Sequence, residues 1–498
     1  MNRRQLLVRL GLAAAAFALS AKAVERNAWP LVVTQEDAAG QVISRQGGGP
    51  LVFAQPRAEG GRAEGFRPLY LLRKDAAGAT REVDLLYPVF TYRTDAGTYR
   101  WSLLSLINQS GRLADAPAPT PQTAEPEAFD VWPFYFSRQT GDPATSYRAL
   151  FPLAGTVLNR FGNDRMEWWL FPLYGRFQKG EKVVHTMPWP FVKTIAGGGH
   201  RGFALWPLFG DREQAGVSRS QFFLWPLVYK DESRLDQPVP TVSLGALPFY
   251  ARHTSADTNG ETYLWPFFGY TDRTAPYRYH QTDWFWPLFV QGRGDQRYRN
   301  RWAPFYTHSI MKGYDKTWVL WPVWRQARWT EAGLAQEKTQ VLFVVYWSLR
   351  QSDPAHPQRA AAEKTHLWPL FSAWDNGAGR RQFQLLSPFE VFFPHNEAVR
   401  LSYSPLFALY RFDQRAPGDT RQSWLWDAVT YERRDAAGTR EFHLGPLLSV
   451  ETKPAQQRIA LGHGLLGIRR APGQRVWRAF VCDFPRSADQ PPATSPAP

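Results

Sequence analysis

The sequence is almost without cysteine: Cys482 is the single one among 498 residues. That excludes a disulfide framework and any cysteine-based metal site. It also suits an oxidising compartment. Helix signals are nearly missing as well, and outside the N-terminal segment only 358–365, "QRAAAEKT", has the composition of a short helix. Catalytic signatures are absent: there is no HExxH, no P-loop and no GxSxG. Gly462-His463-Gly464-Leu465-Leu466-Gly467 matches GxGxxG by letter only. A dinucleotide fingerprint needs a helix after its glycines, and here "IRRAPGQRV" reads as strand and turn. The glycines are therefore expected in a hairpin, and the "GGG" runs at 47–49 and 197–199 in loops. Ten histidines are scattered, and His200 and His463 beside glycines read as turn or surface residues. Asp283 and Glu390 lie near apolar centres and are expected in structural ion pairs with arginine. No cofactor, no metal and no catalytic residue is predicted, and the chain is read as a non-enzyme.

What is abundant is aromatic: 15% of the residues, with 22 Trp. Such side chains join a large apolar area to a polar tip, and they gather at membrane interfaces, ligand grooves and stacked repeats. The first 23 residues, "MNRRQLLVRLGLAAAAFALSAKA", have a basic start, an apolar run from Leu10 to Leu19 and small residues at Ala21 and Ala23. This pattern predicts a bacterial export signal cleaved after Ala23, too short to span a membrane as a helix. Arg3-Arg4 leaves both the general secretory and the twin-arginine routes open. No Cys follows the cleavage point, which argues against a lipoprotein anchor.

The net charge is +15, of which Arg3, Arg4, Arg9 and Lys22 of the signal supply four. Export makes nucleic acid a poor partner for the remaining excess. Anionic lipid, lipopolysaccharide or anionic solutes suit it better. The basic residues are spread over many turns and strand ends, so solvated turns explain them equally well.

A short phrase, W-P-[LF]-[FY], recurs along the whole chain. Its proline falls at nineteen places, from Pro30 to Pro446, at a spacing close to twenty residues. Three more units replace proline, at Ser102, Ser348 and Asp427. Such a period predicts a tandem architecture. Apolar and aromatic residues precede each proline, and polar turns such as "QKGE" (178–181), "DTNG" (257–260) and "GRGD" (292–295) follow. Strands joined by short reversals are expected. One strand per unit gives an all-β, antiparallel up-and-down meander of roughly 22–24 strands, closed as a large β-barrel. "RIALGHGLLGIRR" and "RVWRAFVCDF" would form its last hairpin.

The expected organisation is an export signal over 1–23, first repeat units over 24–113, a Pro/Ala-rich linker or long loop over 114–130, the main array over 131–484 and a disordered tail over 485–498. Proline donates no ladder hydrogen bond. Nineteen equivalent prolines therefore suggest a seam where every long strand bends, with Trp packed beside it. The residues singled out for that packing, or for lining a ligand site, are Trp206, Pro207, Trp225, Pro226, Trp265, Pro266, Trp286, Pro287, Trp321 and Trp368.

The apolar centre of a unit covers about seven residues, or about 23 Å at ~3.3 Å per residue, close to the band of a transmembrane barrel. Both faces of that centre are apolar, with Leu224, Pro226 and Val228 on one and Trp225, Leu227 and Tyr229 on the other. Two functions follow as expectations. One is an outer-membrane barrel that passes or holds hydrophobic or anionic molecules. The other is a soluble periplasmic β-repeat scaffold with Trp-lined grooves for glycans or lipids. An enzyme site in an irregular loop such as 350–364 is a third.

Overall fold

The computed structural model describes residues 24–36, 42–57, 60–114, 126–454, 456–471 and 473–483. The expected export segment and tail lie outside them, as does most of the expected linker. The chain is all-β: 45 antiparallel strands among the described residues, successive strands within each of its two units pairing in an up-and-down meander. That is twice the 22–24 strands expected, because each twenty-residue unit holds two strands rather than one. The reason is visible at the opening phrase. Strand Tyr279–Phe285 ends, Trp286-Pro287-Leu288 turns, and strand Phe289–Gly294 runs back. All the repeat prolines but Pro388 and Pro405 sit in turns between strands, and the expected mid-strand seam does not exist. Placed there, a residue without an N–H removes no ladder bond.

Two compact units divide the chain: residues up to Tyr87 together with those from Ala360 onward, and Pro88–Arg359. The second unit is one uninterrupted meander from β8 (Phe90–Asp95) to β34 (Tyr346–Ser352), with strands of four to eight residues, most of them six. Its hairpins alternate strictly. One turn carries Trp-Pro or a relative, and the next carries glycine or charged residues, as at Gly180-Glu181 and Lys312-Gly313. All Pro turns of the unit therefore lie along one edge of the sheet and all polar turns along the other. The described end of the segment read as a linker is strand: Glu127–Val131 pairs with Ile107–Arg112, Ala128 opposite Ser110. Both faces of this sheet are half-exposed along most of its length. One compact core lies in it, built from Phe136, Tyr147, Ala149, Val157 and Trp168.

The first unit is layered. Its early strands meet a C-terminal run from β35 (Ala362–Leu367) to β45 (Arg478–Val481). Two short helices interrupt that run, α1 (Glu397–Ser402) and α2 (Ser404–Phe407). Asn396 caps α1 by accepting from Val399 N, and α1 lays Ala398 and Leu401 on Phe53, Ala63 and Leu71. The helix expected at 358–365 is instead a loop leading into β35, since its pattern serves a strand paired with Phe371–Asp375. The segment "RIALGHGLLGIRR", expected as one side of the last hairpin, is a hairpin by itself, Gln456–Leu461 pairing with Leu466–Arg470 through a single 3-10 turn at Gly462–Gly464, and Arg478–Val481 pairs with the latter.

Candidate functional site

From Pro133 to Pro322 the repeat's Pro turns in the second unit share a cis X–Pro bond, and those led by Leu170, Leu224, Leu264 and Leu320 also place that leucine at a left-handed φ. In Leu224-Trp225-Pro226-Leu227 the leucine takes a left-handed φ of 47° and the Trp–Pro bond is cis. Leu227 N donates to Leu224 O at 2.7 Å, closing the turn. Leu224 N donates to Leu208 O and Trp225 N to Pro207 O, both on the preceding Pro turn. Leu170-Phe171-Pro172-Leu173 and Leu320-Trp321-Pro322-Val323 repeat all three bonds. Proline contributes no donor, so in these turns every backbone N–H is satisfied. The linkage continues turn by turn, from Phe151 N on Phe134 O to Leu342 N on Val323 O.

Side chains turn this edge into an apolar rim. Trp206, Trp225, Trp265, Trp286 and Trp321 all reach it together with their prolines, and each is about half-exposed. Trp368 and Pro369 occupy the corresponding turn of the first unit, between β35 and β36 (Phe371–Asp375). Packing explains these tryptophans only in part, since Trp321 keeps 56% of its surface. Neighbouring rings lean on one another along the rim, as Phe191 on Trp206 at 6.1 Å and Trp321 on Phe343 at 6.0 Å. The rim also takes in strand-end residues that the repeat phrase did not single out, among them Phe223, Val228, Tyr263 and Trp302. Their signal in the sequence is position alone: the last residue before a turn or the first after it.

Of the three residues expected to replace proline, two do not lie in turns. Ser102 and Ser348 lie inside strands Thr98–Leu103 and Tyr346–Ser352. The corresponding turns are Leu104-Ser105 and Leu342-Phe343, each with two consecutive residues at positive φ. Asp427 does lie in a turn, but its N–H is taken by Ser423 Oγ rather than free.

Away from this rim the sheet is charged. In the second unit Arg219 pairs with Asp211 and Arg201 with Glu213, all near the polar edge or mid-strand. Asp283 meets no arginine directly. It accepts from Gln281 Nε2 at 2.8 Å, and Arg299 reaches Gln281 Oε1 at 3.5 Å, so the amide stands between the charges. Two surface grooves, of about 430 and 470 Å³, are lined by Arg201, Phe203, Phe209 and Asp211 and by Arg138, Tyr147 and Arg148 among others. Neither is lined by tryptophan.

The first unit holds a second constellation, with no sequence signal at all. Glu25, on β1 (Val24–Ala28), is 3% exposed and accepts from Arg421 Nε at 2.9 Å and Thr430 Oγ1 at 2.6 Å. Arg421 Nη2 donates to Asp427 Oδ1 at 2.8 Å, and Asn27 Nδ2 to the Asp427 carbonyl at 2.7 Å. Burial alone would raise the Glu25 carboxyl, but Arg421, His443 and Thr430 together hold it below the usual carboxylate range. His443 Nε2 stands 3.9 Å from Glu441 Oε2. Burial would lower this imidazole, yet the carboxylates of Glu441, Glu25 and Glu451 raise it above its ordinary value. A space of about 20 Å³ lies among Glu25, Asn27, His443, Ser449 and His463, room for roughly one water. The cluster ties β1 to strands four hundred residues away, and around Glu25 and Arg421 its polar atoms answer one another, while Glu441 Oε2 and His443 Nε2 make no hydrogen bond among the described residues. Its geometry is that of a clasp.

Compared with known proteins, the chain matches no family and no curated protein.

Proposed function

We propose that the protein is an exported, non-enzymatic β-array of the outer-membrane type, closed as a large barrel, that passes or holds hydrophobic or anionic molecules. The observation that supports this reading best is the rim: a continuous row of exposed Trp, Leu and Phe on turns linked to one another by backbone hydrogen bonds, with every donor used in those at Leu170, Leu224 and Leu320. Lipid demands such self-sufficiency of backbone groups, and water does not. Indole and leucine at one level are what an interfacial belt contains. Lipid or lipopolysaccharide is then the main partner, and the basic balance favours anionic species among small molecules.

Strand length favours a second reading, a soluble periplasmic scaffold or binding protein. Six residues cover about 20 Å, short of the nine to eleven that a membrane-crossing strand uses. The two grooves described, however, lack the Trp lining that this reading wants. Fractionating cells that express the full-length chain separates the two. Recovery in the outer membrane with heat-modifiable gel mobility supports the first, and a detergent-free soluble monomer overturns it.

A further inference from the structure

We infer that the Trp-Pro edge of the second unit is a one-leaflet docking edge, entering half of a lipid bilayer while the strands and the polar edge stay in water. The inference rests on the lipid partner of the reading above and replaces its membrane-crossing wall with an edge that enters from one side. It follows from where charge begins along the strands. In the hairpin around Leu224, the first rung is Phe223 opposite Val228 and the second is Phe222 opposite Tyr229. The third is Gln221 opposite Lys230. Elsewhere charge comes sooner: Lys193, Arg301 and Arg325, and Asp130 in its ion pair with Arg160, are each the second strand residue from the Pro turn. Asp211 is the third.

At ~3.3 Å per residue, turn and apolar rungs together make a band of roughly 10 Å. A hydrocarbon core is about 30 Å thick and a barrel's apolar girdle about 25 Å, so this band fits within one leaflet and cannot cross two. An interfacial element seats its apolar face to about that depth, 5–10 Å. Lys193 and Arg325 would then lie at phosphate level with their stems along the apolar rungs, whereas Arg301 Nη1 donates to the Pro287 carbonyl and so caps the neighbouring Pro turn. Opposite them, the polar edge carries turns such as Gly180-Glu181 and Lys312-Gly313, which have no place in hydrocarbon. The turns at Leu170, Leu224 and Leu320, in which every donor is satisfied, suit a rim dipping into acyl chains.

The test uses the full chain with Cys482→Ser and one new cysteine carrying an environment-sensitive dye, added to sealed phosphatidylcholine vesicles with and without anionic lipid. Labels go at Leu227→Cys or Leu208→Cys on the rim and at Ala215→Cys on the polar edge. The expected result is co-flotation, a several-fold rise in rim emission quenched better by shallow than by deep acyl-chain quenchers, and a polar-edge label wholly reduced by external dithionite. Flotation with the polar-edge label protected, or with deeper quenchers winning at the rim, overturns the one-leaflet edge and leaves the membrane reading standing. Failure of correctly folded protein to float with either vesicle overturns both. Two rim positions keep the outcome independent of one substitution's effect on folding.

Discussion

The backbone N–H of Trp225 donates to the carbonyl oxygen of Pro207 at 2.7 Å, so the tryptophan of one repeat is tied to the proline of the one before. The same bond recurs from Phe171 to Pro152, Trp189 to Pro172 and Trp321 to Pro304. These bonds carry the sheet's ladder one step past its strands, through the turns. A proline there offers its carbonyl to the next repeat and exposes no donor of its own. The edge is thereby knitted as well as apolar, which is why the phrase recurs at every second turn.

Exposure divides adjacent tryptophans sharply, and stability should follow it. Trp168 is 5% exposed, donates from Nε1 to Leu150 O and packs against Phe151, whereas its neighbour Trp169 is 65% exposed. Trp168→Ala should cost about 3–5 kcal/mol, the range for truncating a buried large aromatic. Trp169→Ala should cost less than about 0.5 kcal/mol, as for other surface changes. Denaturant titrations of both variants decide this. Equal losses would show that the rim tryptophans are structural and would remove the reason for assigning them to lipid.

Glycine is needed at some polar-edge turns and merely convenient at others. Gly197 has φ 91°, and a Cβ there would stand 2.1 Å from the Glu181 carbonyl oxygen. Gly180 has φ 57° with nothing within 4 Å. Gly197→Ala should therefore lower the thermal midpoint clearly, while Gly180→Asn, a residue that tolerates the left-handed region, should leave it nearly unchanged. Scanning calorimetry on the two variants tests the difference.

The repeat made much of this fold legible. Period, composition and turn chemistry led to antiparallel hairpins and to an all-β chain. They misled on strand number because Trp-Pro-Leu reads as the apolar middle of a strand. In the structure those three residues are the reversal, and only the flanking pairs such as Phe223 and Val228 extend the sheet. Amphipathicity was sought between the two faces, by alternation, and it lies instead along the strand axis, from rim to polar edge. The clasp was invisible for a different reason. Glu25 and Arg421 are separated by most of the chain, and nothing in either segment marks the other as its partner.

That clasp should behave as a buried charge pair. Arg421 is 8% exposed, with Glu25 and Asp427 both on its guanidinium. Arg421→Met leaves two carboxylates buried without their cation and should cost about 3–5 kcal/mol, the range for breaking such a pair from one side. Glu25→Gln together with Arg421→Met should recover part of that loss. Hydrogen exchange over Val24–Glu36 reads the effect locally. Simple additivity of the two single changes would mean that the residues do not act as a pair.

The same cluster sets a pH window for holding the N-terminal strand. Glu25 and Glu441 have carboxyls held below their ordinary value, burial being outweighed by Arg421 and His443 around the first and by His443, Lys453 and Arg434 around the second. Their stabilisation is complete above the ordinary carboxylate range and is lost as pH falls through their lowered values. His443 titrates the other way. Its raised value means that its contribution is complete below the ordinary 6.5 and disappears as pH rises through the shifted one. Protection of Val24–Ala28 should therefore be greatest between the carboxylate range and the His443 transition, and weaker on both sides. His443→Gln should remove the alkaline decline and spare the acid one, and Glu25→Gln should blunt the acid decline. Exchange rates measured from pH 3 to pH 9 on the three proteins test this, and an alkaline decline that survives His443→Gln would assign the window to other groups.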